Sequence, residues 1–246
     1  MLIGDAKQRV ERALDARYVT GETRHEPLSW SVEADYERSG TPRFFGLGND
    51  SLYANQTTYL ADQGVVSVMV GRNFTPVLQL AYLARLRLVD VLPGVLPTVP
   101  SIQTLFPGLK GLGSEHALEN TVMFTRDTRD SPIMPQSGTR YIVYGGIVSS
   151  ALASSVSYSY VGADARVYLP LTSDVTFAWH AGLPYMPSAA DAPFWALSSL
   201  GGDRSIPDEC EPLRSVGADR YMDRDLFATG AEIRARVAGL DRKSVV

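Results

Sequence analysis

Charged side chains recur at every second position near the C-terminus of the chain. Glu232, Arg234 and Arg236 share one parity, and Phe227, Ile233 and their neighbours of the other parity are mostly apolar. A β-strand points alternate side chains to opposite faces, so this run predicts one ionic face. Unpaired buried charge is costly in a soluble core, but charge is ordinary on the wet inner wall of a membrane barrel. The chemistry that the pattern favours is ion pairing in an aqueous lumen.

The same alternation places a second set of charges on the inner side of other predicted strands. Over 77–89, apolar residues alternate with Gln79, Arg85 and Arg87. A lipid-facing arginine at mid-membrane would cost about 2–4 kcal/mol, so both arginines are predicted to face the lumen. Two later strands add three further lumen-facing candidates: Asp164, Arg166 and His180.

The histidines do not predict a metal site or an active site. His25, His116 and His180 are far apart and lack acids or cysteines at ligand spacing. His180 with Asp164 and Ser157 is reminiscent of a hydrolase trio, but the chain has no G-x-S-x-G elbow. His180 is therefore interpreted as a solvated or hydrogen-bonded lumen residue. We expect no catalytic residue, no metal and no cofactor.

The composition excludes several classes of protein. The chain has 246 residues and a formal net charge of −4 without a basic run, which argues against nucleic acid as a partner. The sequence contains no run of about 18 apolar residues, so it predicts no transmembrane helix. A single cysteine, Cys210, excludes an internal disulfide. The N-terminal residues lack the features of a signal peptide, so we expect a piece of a longer gene product.

Period-two alternation predicts about nine or ten strands. They are expected at 28–37, 51–61, 64–72, 77–89, 115–126, 139–149, 153–169, 174–185 and in the run that ends near 237. Asp62-Gln63-Gly64 is interpreted as the turn of a hairpin between the second and third of these strands. Two long connections, 91–114 and 186–225, fall at the same end if strands alternate in direction. A short helix is expected around 101–106, and residues 1–26 fit either a short helix or a strand.

Three motifs follow one another along this strand pattern. The first is the glycine-rich turn Phe44-Phe45-Gly46-Leu47-Gly48-Asn49, and the second is the Asp/Arg/Pro/Gly segment 126–138. The third, 196–237, contains Leu200-Gly201-Gly202, Arg220-Tyr221-Met222-Asp223-Arg224 and Glu232-Ile233-Arg234. Taken in this order, the motifs resemble those of the Omp85 family, the BamA/TamA-like outer-membrane barrels that are also called bacterial surface antigens.

The third motif departs from the family pattern at the tip of its loop. In the family an arginine, a glycine and an aromatic residue form the tip, whereas this chain has Leu213-Arg214-Ser215-Val216. Arg204 is a second candidate for the tip arginine. The resemblance implies the following loop-tip and lumen candidates: Arg214, Arg204, Arg220, Asp223, Arg224, Glu232 and Arg234.

The resemblance implies an all-β fold, an antiparallel transmembrane β-barrel. We expect a partial Omp85-type barrel over 27–246 that is truncated at both ends, after a segment 1–26 of uncertain structure. It further implies a bacterial outer-membrane protein that inserts, assembles or translocates other outer-membrane proteins, without enzymatic activity.

The expected partners are the outer-membrane lipid bilayer and client outer-membrane proteins. Periplasmic assembly factors are expected to act through N-terminal domains that this chain lacks. One alternative is a passive porin-like or surface-antigen barrel without assembly activity. Another is a soluble β protein, in which the inward-facing Arg85 and Arg87 have no ready explanation.

Overall fold

The computed structural model describes residues 12–20, 26–200 and 219–236 of the chain. Almost all of them lie in, or connect, the strands of one antiparallel sheet. The strands are β1 Arg12–Thr20, β2 Leu28–Ser39, β3 Arg43–Phe44, β4 Thr57–Thr75, β5 Leu78–Pro93, β6 Gly113–Asp127, β7 Gly138–Val148, β8 Tyr158–Pro170, β9 Val175–Ser188, β10 Ser198–Leu200, β11 Tyr221–Asp223 and β12 Ala228–Ala235. The one α-helix, α1, spans Ile102–Leu105 among these residues.

The main sheet has ten strands, and nine of them follow the order β1-β2-β4-β5-β6-β7-β8-β9-β12. The short β3 pairs with β4 beside this path, and β10 pairs with β11 in a separate ribbon. Each strand of the path pairs in antiparallel register with the next strand of this order, which is the meander of an up-and-down barrel wall. Over the described residues the sheet stays open, with β1 and β12 at its edges. The expected all-β antiparallel fold is confirmed.

The segment before residue 26 contains a strand where its sequence allowed a helix. β1 pairs with β2 over its whole length, from Arg12 opposite Arg38 to Thr20 opposite Trp30. Tyr18 packs on Trp30, with ring centroids 5.2 Å apart. A helix here would leave the edge of β2 unpaired, so the tertiary partner decides the local structure.

The predicted hairpin at Asp62-Gln63-Gly64 is wrong. β4 runs unbroken through these residues, and each of them lies opposite a residue of β5. The carboxylate of Asp62 accepts a hydrogen bond from Arg38 at 3.1 Å. A turn at this point would interrupt the pairing of β5 along the rest of its length. Asp62, Gln63 and Gly64 are thus residues that favour a turn, but pairing with the two long neighbouring strands keeps the backbone extended.

The outer face of the sheet is apolar. On β4 the outward side chains between the charged residues Asp62 and Arg72 include Val66, Val68 and Val70, all more than 40% exposed. Ten residue steps span about 33 Å of strand, which at the usual tilt of about 40° gives a band about 25 Å high. That is the height of the lipid-facing band of a membrane barrel. Further exposed apolar side chains on this face are Leu80, Tyr82, Val122, Phe124, Val143, Trp179 and Leu183.

The long connections gather at one end of the sheet, which we call the long-loop end. Residues 40–56, 94–112, 149–157 and 189–227 connect strands there, as expected for the two longest of them. Phe194 packs edge-on against Phe44 and Tyr59, with ring centroids 5.4 and 5.3 Å away. These residues belong to the largest hydrophobic cluster among the described residues. The described parts of these connections therefore form a packed cap on that end.

The opposite end carries short turns, and we call it the short-turn end. In the turn 128–137 the carboxylate of Asp130 accepts hydrogen bonds from the backbone N–H groups of Gln136, at 3.0 Å, and Ser137, at 3.2 Å. These bonds favour the charged form and hold the pKa of Asp130 below its usual range. The turn is thus held by its own side chain. No helix among the described residues is long and apolar enough to cross a membrane.

Two tyrosines on the inner wall lie flat across glycines of the neighbouring strand. Tyr144 covers Gly162, which lies directly opposite it, and Tyr160 covers Gly146 in the same way. A Cβ atom at Gly162 would lie 2.3 Å from the end of the Tyr144 ring. Tyr144 is 6% exposed, so a methyl group at Gly162 would force a packed ring to leave its position over the glycine.

Gly162→Ala is therefore expected to lower the free energy of unfolding by about 1–3 kcal/mol, the usual range for an overpacked site. Gly64→Ala is the matched control, since a Cβ there meets no atom within 4 Å. Urea unfolding of the detergent-folded chain, followed by heat-dependent gel mobility, measures both. Equal stability of the two variants would contradict this account.

Candidate functional site

Two arginines on β5 converge on one glutamate of β6. Arg85 lies directly opposite Glu119 in the sheet register. The Nη1 atoms of Arg85 and Arg87 lie 3.6 and 3.4 Å from the two carboxylate oxygens. The Tyr158 hydroxyl donates a third contact to Glu119 at 3.2 Å. Glu119 is only 7% exposed, so one carboxylate compensates two inward guanidinium groups in a largely dehydrated setting.

Arg87 also holds a segment of the long-loop end against the inner wall. Its Nη2 donates to the Trp195 carbonyl oxygen at 3.3 Å and to Gln63 Oε1 at 3.4 Å. Its guanidinium carbon lies 4.8 Å from the centroid of the Trp195 ring. We call residues 194–199 the inner strap. It crosses the inner face of the sheet and is fixed there by hydrogen bonding, cation–π attraction and the packing of Phe194.

A cavity of about 480 Å³ lies between the inner strap and the wall. Its lining is mixed in charge, with Arg85, Arg87 and Glu119 on one side and an acidic stripe on β2 on the other. The remaining polar lining includes Gln63, Ser67, Tyr144, Tyr158, Tyr160, Ser198 and Ser199. Such a lining suits hydrated polar groups rather than an apolar ligand.

Three carboxylates gather at the open edge of the sheet. One oxygen each from Asp15, Glu33 and Asp35 lies within 4.8 Å of the others. Asp15 is exposed, and the other two are half-buried. Exposed acids of this kind are common without a metal, so the cluster alone does not define a cation site.

Two of the motifs singled out in the sequence meet at the long-loop end. Arg220 donates through Nη1 to Ser51 Oγ and through Nη2 to the Ser51 carbonyl oxygen, both at 2.9 Å. Its guanidinium carbon lies 4.9 Å from the ring centroid of Phe45 and 4.4 Å from that of Tyr221. The Gly48 N–H donates to the Met222 carbonyl oxygen at 2.9 Å. We call this assembly of Phe45, Gly48, Ser51, Arg220, Tyr221 and Met222 the loop latch.

The remaining residues of the third motif lie around the latch. Tyr221–Asp223 forms β11 and pairs with the end of the inner strap in β10. Asp223 is exposed and accepts a hydrogen bond from the Arg224 N–H at 2.7 Å. Arg224 is exposed next to it. Arg204 and Arg214, the candidates for the tip, lie outside the described residues.

Glu232 and Arg234 form a separate pair on the inner face of the edge strand β12. They contact each other, and the Arg234 guanidinium carbon lies 5.4 Å from the centroid of the Tyr168 ring. Both side chains are nearly half exposed. Five steps of the sheet order separate β12 from β5, so this pair does not share a site with Arg85 and Arg87.

Asp164, Arg166 and His180 lie on the inner face of β8 and β9. Arg166 Nε donates to Asp164 Oδ1 at 3.0 Å, and Arg166 lies directly opposite His180. Ser157 is at the long-loop end, where its hydroxyl bonds to Ser150. Seven residues of strand, about 23 Å, separate it from Asp164. The hydrolase trio considered from the sequence is therefore not assembled.

Sequence reasoning missed two residues that complete the inner wall. Along β6, Glu119 alternates in step with Thr121 and Thr125, whereas the outward-facing Val122 and Phe124 occupy the other set of positions. Alternation alone could therefore have predicted that Glu119 faces inward. Trp195 carried no comparable signal, because its position depends on how the long connection folds back.

Comparisons with known proteins agree with this fold. The model of the Omp85 superfamily domain matches residues 6–239. The fold is similar to the crystal structure of BamA from Haemophilus ducreyi lacking POTRA domains 1-3, with a TM-score of 0.60 and 13% sequence identity. That match covers 95% of this chain and 46% of the crystallised BamA chain, so this chain spans about half the length of the chain it matches. No curated protein matches the sequence. Because the superfamily model covers nearly the whole sequence, the chain belongs to the Omp85 superfamily.

Proposed function

We propose that this chain is the barrel portion of a protein that inserts or translocates other proteins at the bacterial outer membrane. The observation that carries the proposal is the loop latch, which joins two Omp85-like motifs on a sheet of Omp85 type. The inner strap lies against the inner wall at Arg87, and the latch holds residues 220–222 against the loop of Ser51. The long-loop end is then extracellular and the short-turn end periplasmic.

Several features support an assembly role over a passive pore. The proposed role uses an unpaired strand edge at the seam of the whole barrel as a template on which a client strand can pair. The inner strap covers part of the inner wall at Arg87, where a diffusion pore needs open space. The proposed partners are the lipid bilayer, client outer-membrane proteins and periplasmic factors. No chemical step is part of this role, and β1 is proposed to belong to the barrel region with 27–246.

The protein that contains this chain is expected to accelerate the folding of a client barrel after reconstitution into liposomes. A urea-unfolded small outer-membrane barrel is added, and its heat-resistant folded form is measured on gels over time. The folding rate should exceed that in empty liposomes by several-fold. Ion conductance without any acceleration would contradict the proposal and favour the passive porin-like or surface-antigen alternative.

A further inference from the structure

Two exposed arginines end the apolar band of the outer face on its short-turn side. Arg72 comes two residues after the outward Val70 on β4. Arg126 comes two residues after the outward Phe124 on β6. The strand β5 lies between them and pairs with both β4 and β6. Two strand spacings separate the arginines by about 10 Å across the sheet, so both lie on the same rim of the band.

Neither arginine forms an ion pair with a carboxylate of the described residues, including the exposed Glu26 that precedes β2. The Arg72 guanidinium carbon lies 5.7 Å from the centroid of the Phe74 ring, a cation–π contact that uses none of its hydrogen-bond donors. Arg126 donates through Nη1 to Thr139 Oγ1 at 3.2 Å. Because a guanidinium group has five N–H donors, most of them remain available on the outer face.

The opposite rim of the same band carries charges of both signs. Arg38 on β2 forms an ion pair with Asp62 on β4, at 3.1 Å. Asp90 lies opposite Asp62 on β5 and accepts a hydrogen bond from Ser114 Oγ at 3.0 Å. The Arg38 guanidinium group thus has its counter-charge within the protein. On β4 and β6 the short-turn rim instead presents two guanidinium groups whose counter-charge has to come from outside the described residues.

We propose that Arg72 and Arg126 bind the headgroup phosphate of an anionic phospholipid whose acyl chains lie on the outer face of β5. A planar guanidinium group donates two parallel N–H bonds to a phosphate. Leu80 and Tyr82, which are 41% and 45% exposed on β5, supply the apolar surface for the acyl chains. A zwitterionic lipid is bound less well, because its own cation repels the two arginines. The proposal rests on the membrane-spanning sheet of the proposed function and is independent of client folding.

The test is native mass spectrometry of the protein that contains this chain, purified in a neutral detergent. Phosphatidylglycerol or phosphatidylcholine with identical acyl chains is added, and the fraction of protein that carries lipid gives a Kd for each. Each arginine is expected to favour the anionic lipid about fivefold, so the two Kd values should differ about 25-fold. The difference should shrink as the salt concentration rises, because exposed charges are screened. Equal Kd values at low salt would overturn the proposal and leave the assembly role untouched.

Variants locate the effect on the outer face. Arg72→Gln and Arg126→Gln should each lower the ratio of the two Kd values by about fivefold. Arg38→Gln is the matched control, since it removes the same charge at the opposite rim, where Arg38 pairs with Asp62. This control should keep the ratio of the parent protein, and heat-dependent gel mobility shows that each variant is folded. The proposal is overturned if Arg72→Gln and Arg126→Gln keep the ratio, or if Arg38→Gln lowers it equally.

Discussion

Glu119→Gln is expected to destabilise the folded chain by about 3 kcal/mol. The substitution keeps the size of the side chain but removes the carboxylate charge that both Arg85 and Arg87 contact. Removing one partner from a buried ion pair typically costs about 3–5 kcal/mol, because the remaining charge is left uncompensated. The lower end applies here, since Arg85 is 31% exposed and keeps part of its hydration. The Tyr158 hydroxyl can still donate to the amide oxygen of the glutamine.

The matched control for Glu119→Gln is Glu115→Gln, on the same strand and the same face. Glu115 lies nearer the long-loop end and accepts a hydrogen bond from Ser155. An exposed contact of this kind contributes about 0–1 kcal/mol. Urea unfolding in detergent, followed by tryptophan fluorescence, compares the two variants and also reports on Trp195, which packs on Arg87. Equal stability of the two variants would show that Glu119 does not carry the inner ion pairs.

The two-sided character of the strands could be read from the sequence because alternation is a local property. Alternation over the predicted strand 64–72 places Val66, Val68 and Val70 on one face, and the structure exposes all three on the outer side of the sheet. The direction of Arg85 and Arg87 follows from the same parity argument. Their partner could not be read in this way, because Glu119 becomes their neighbour only through the pairing of β5 with β6. The predicted strand ends were least accurate where residues typical of a turn lie inside a paired strand, as at Asp62-Gln63-Gly64.

The loop latch illustrates the same limit over a longer distance. Both of its motifs were recognised in the sequence, but Arg220 and Ser51 are 169 residues apart and no spacing rule connects them. Their contact depends on four long connections folding toward one end of the sheet. The strand pattern predicted a common end for 91–114 and 186–225, but the wrong hairpin at Asp62-Gln63-Gly64 would have placed the loop of Ser51 at the other end. The packing of Phe44, Tyr59 and Phe194 was not predicted either.

Arg220→Ala is expected to open the loop latch while the barrel stays folded. The variant loses two hydrogen bonds to Ser51 and the stacking of the guanidinium group on Phe45 and Tyr221. Hydrogen bonds to a charged group contribute about 1.5–3 kcal/mol each, and each cation–π contact adds about 0.5–1 kcal/mol at an exposed site. Those interactions lie at the base of a long connection and outside the strand ladders. Their loss should therefore release the connection locally rather than unfold the sheet.

Limited proteolysis within 189–227 measures this release directly, and the heat-dependent gel shift reports whether the barrel is intact. Arg220→Ala should be cleaved at least tenfold faster than the parent chain with an unchanged gel shift, since about 1.4 kcal/mol of local stability corresponds to a factor of ten. Arg220→Lys should be cleaved at an intermediate rate, because an ammonium group cannot bridge the Ser51 hydroxyl and carbonyl as a planar fork does. Arg224→Ala, an exposed arginine next to β11, serves as the control and should behave like the parent chain. If the proposed assembly role depends on the latch, client folding by the Arg220→Ala protein should slow in parallel with its cleavage. Faster cleavage with unchanged client folding would separate the latch from that role.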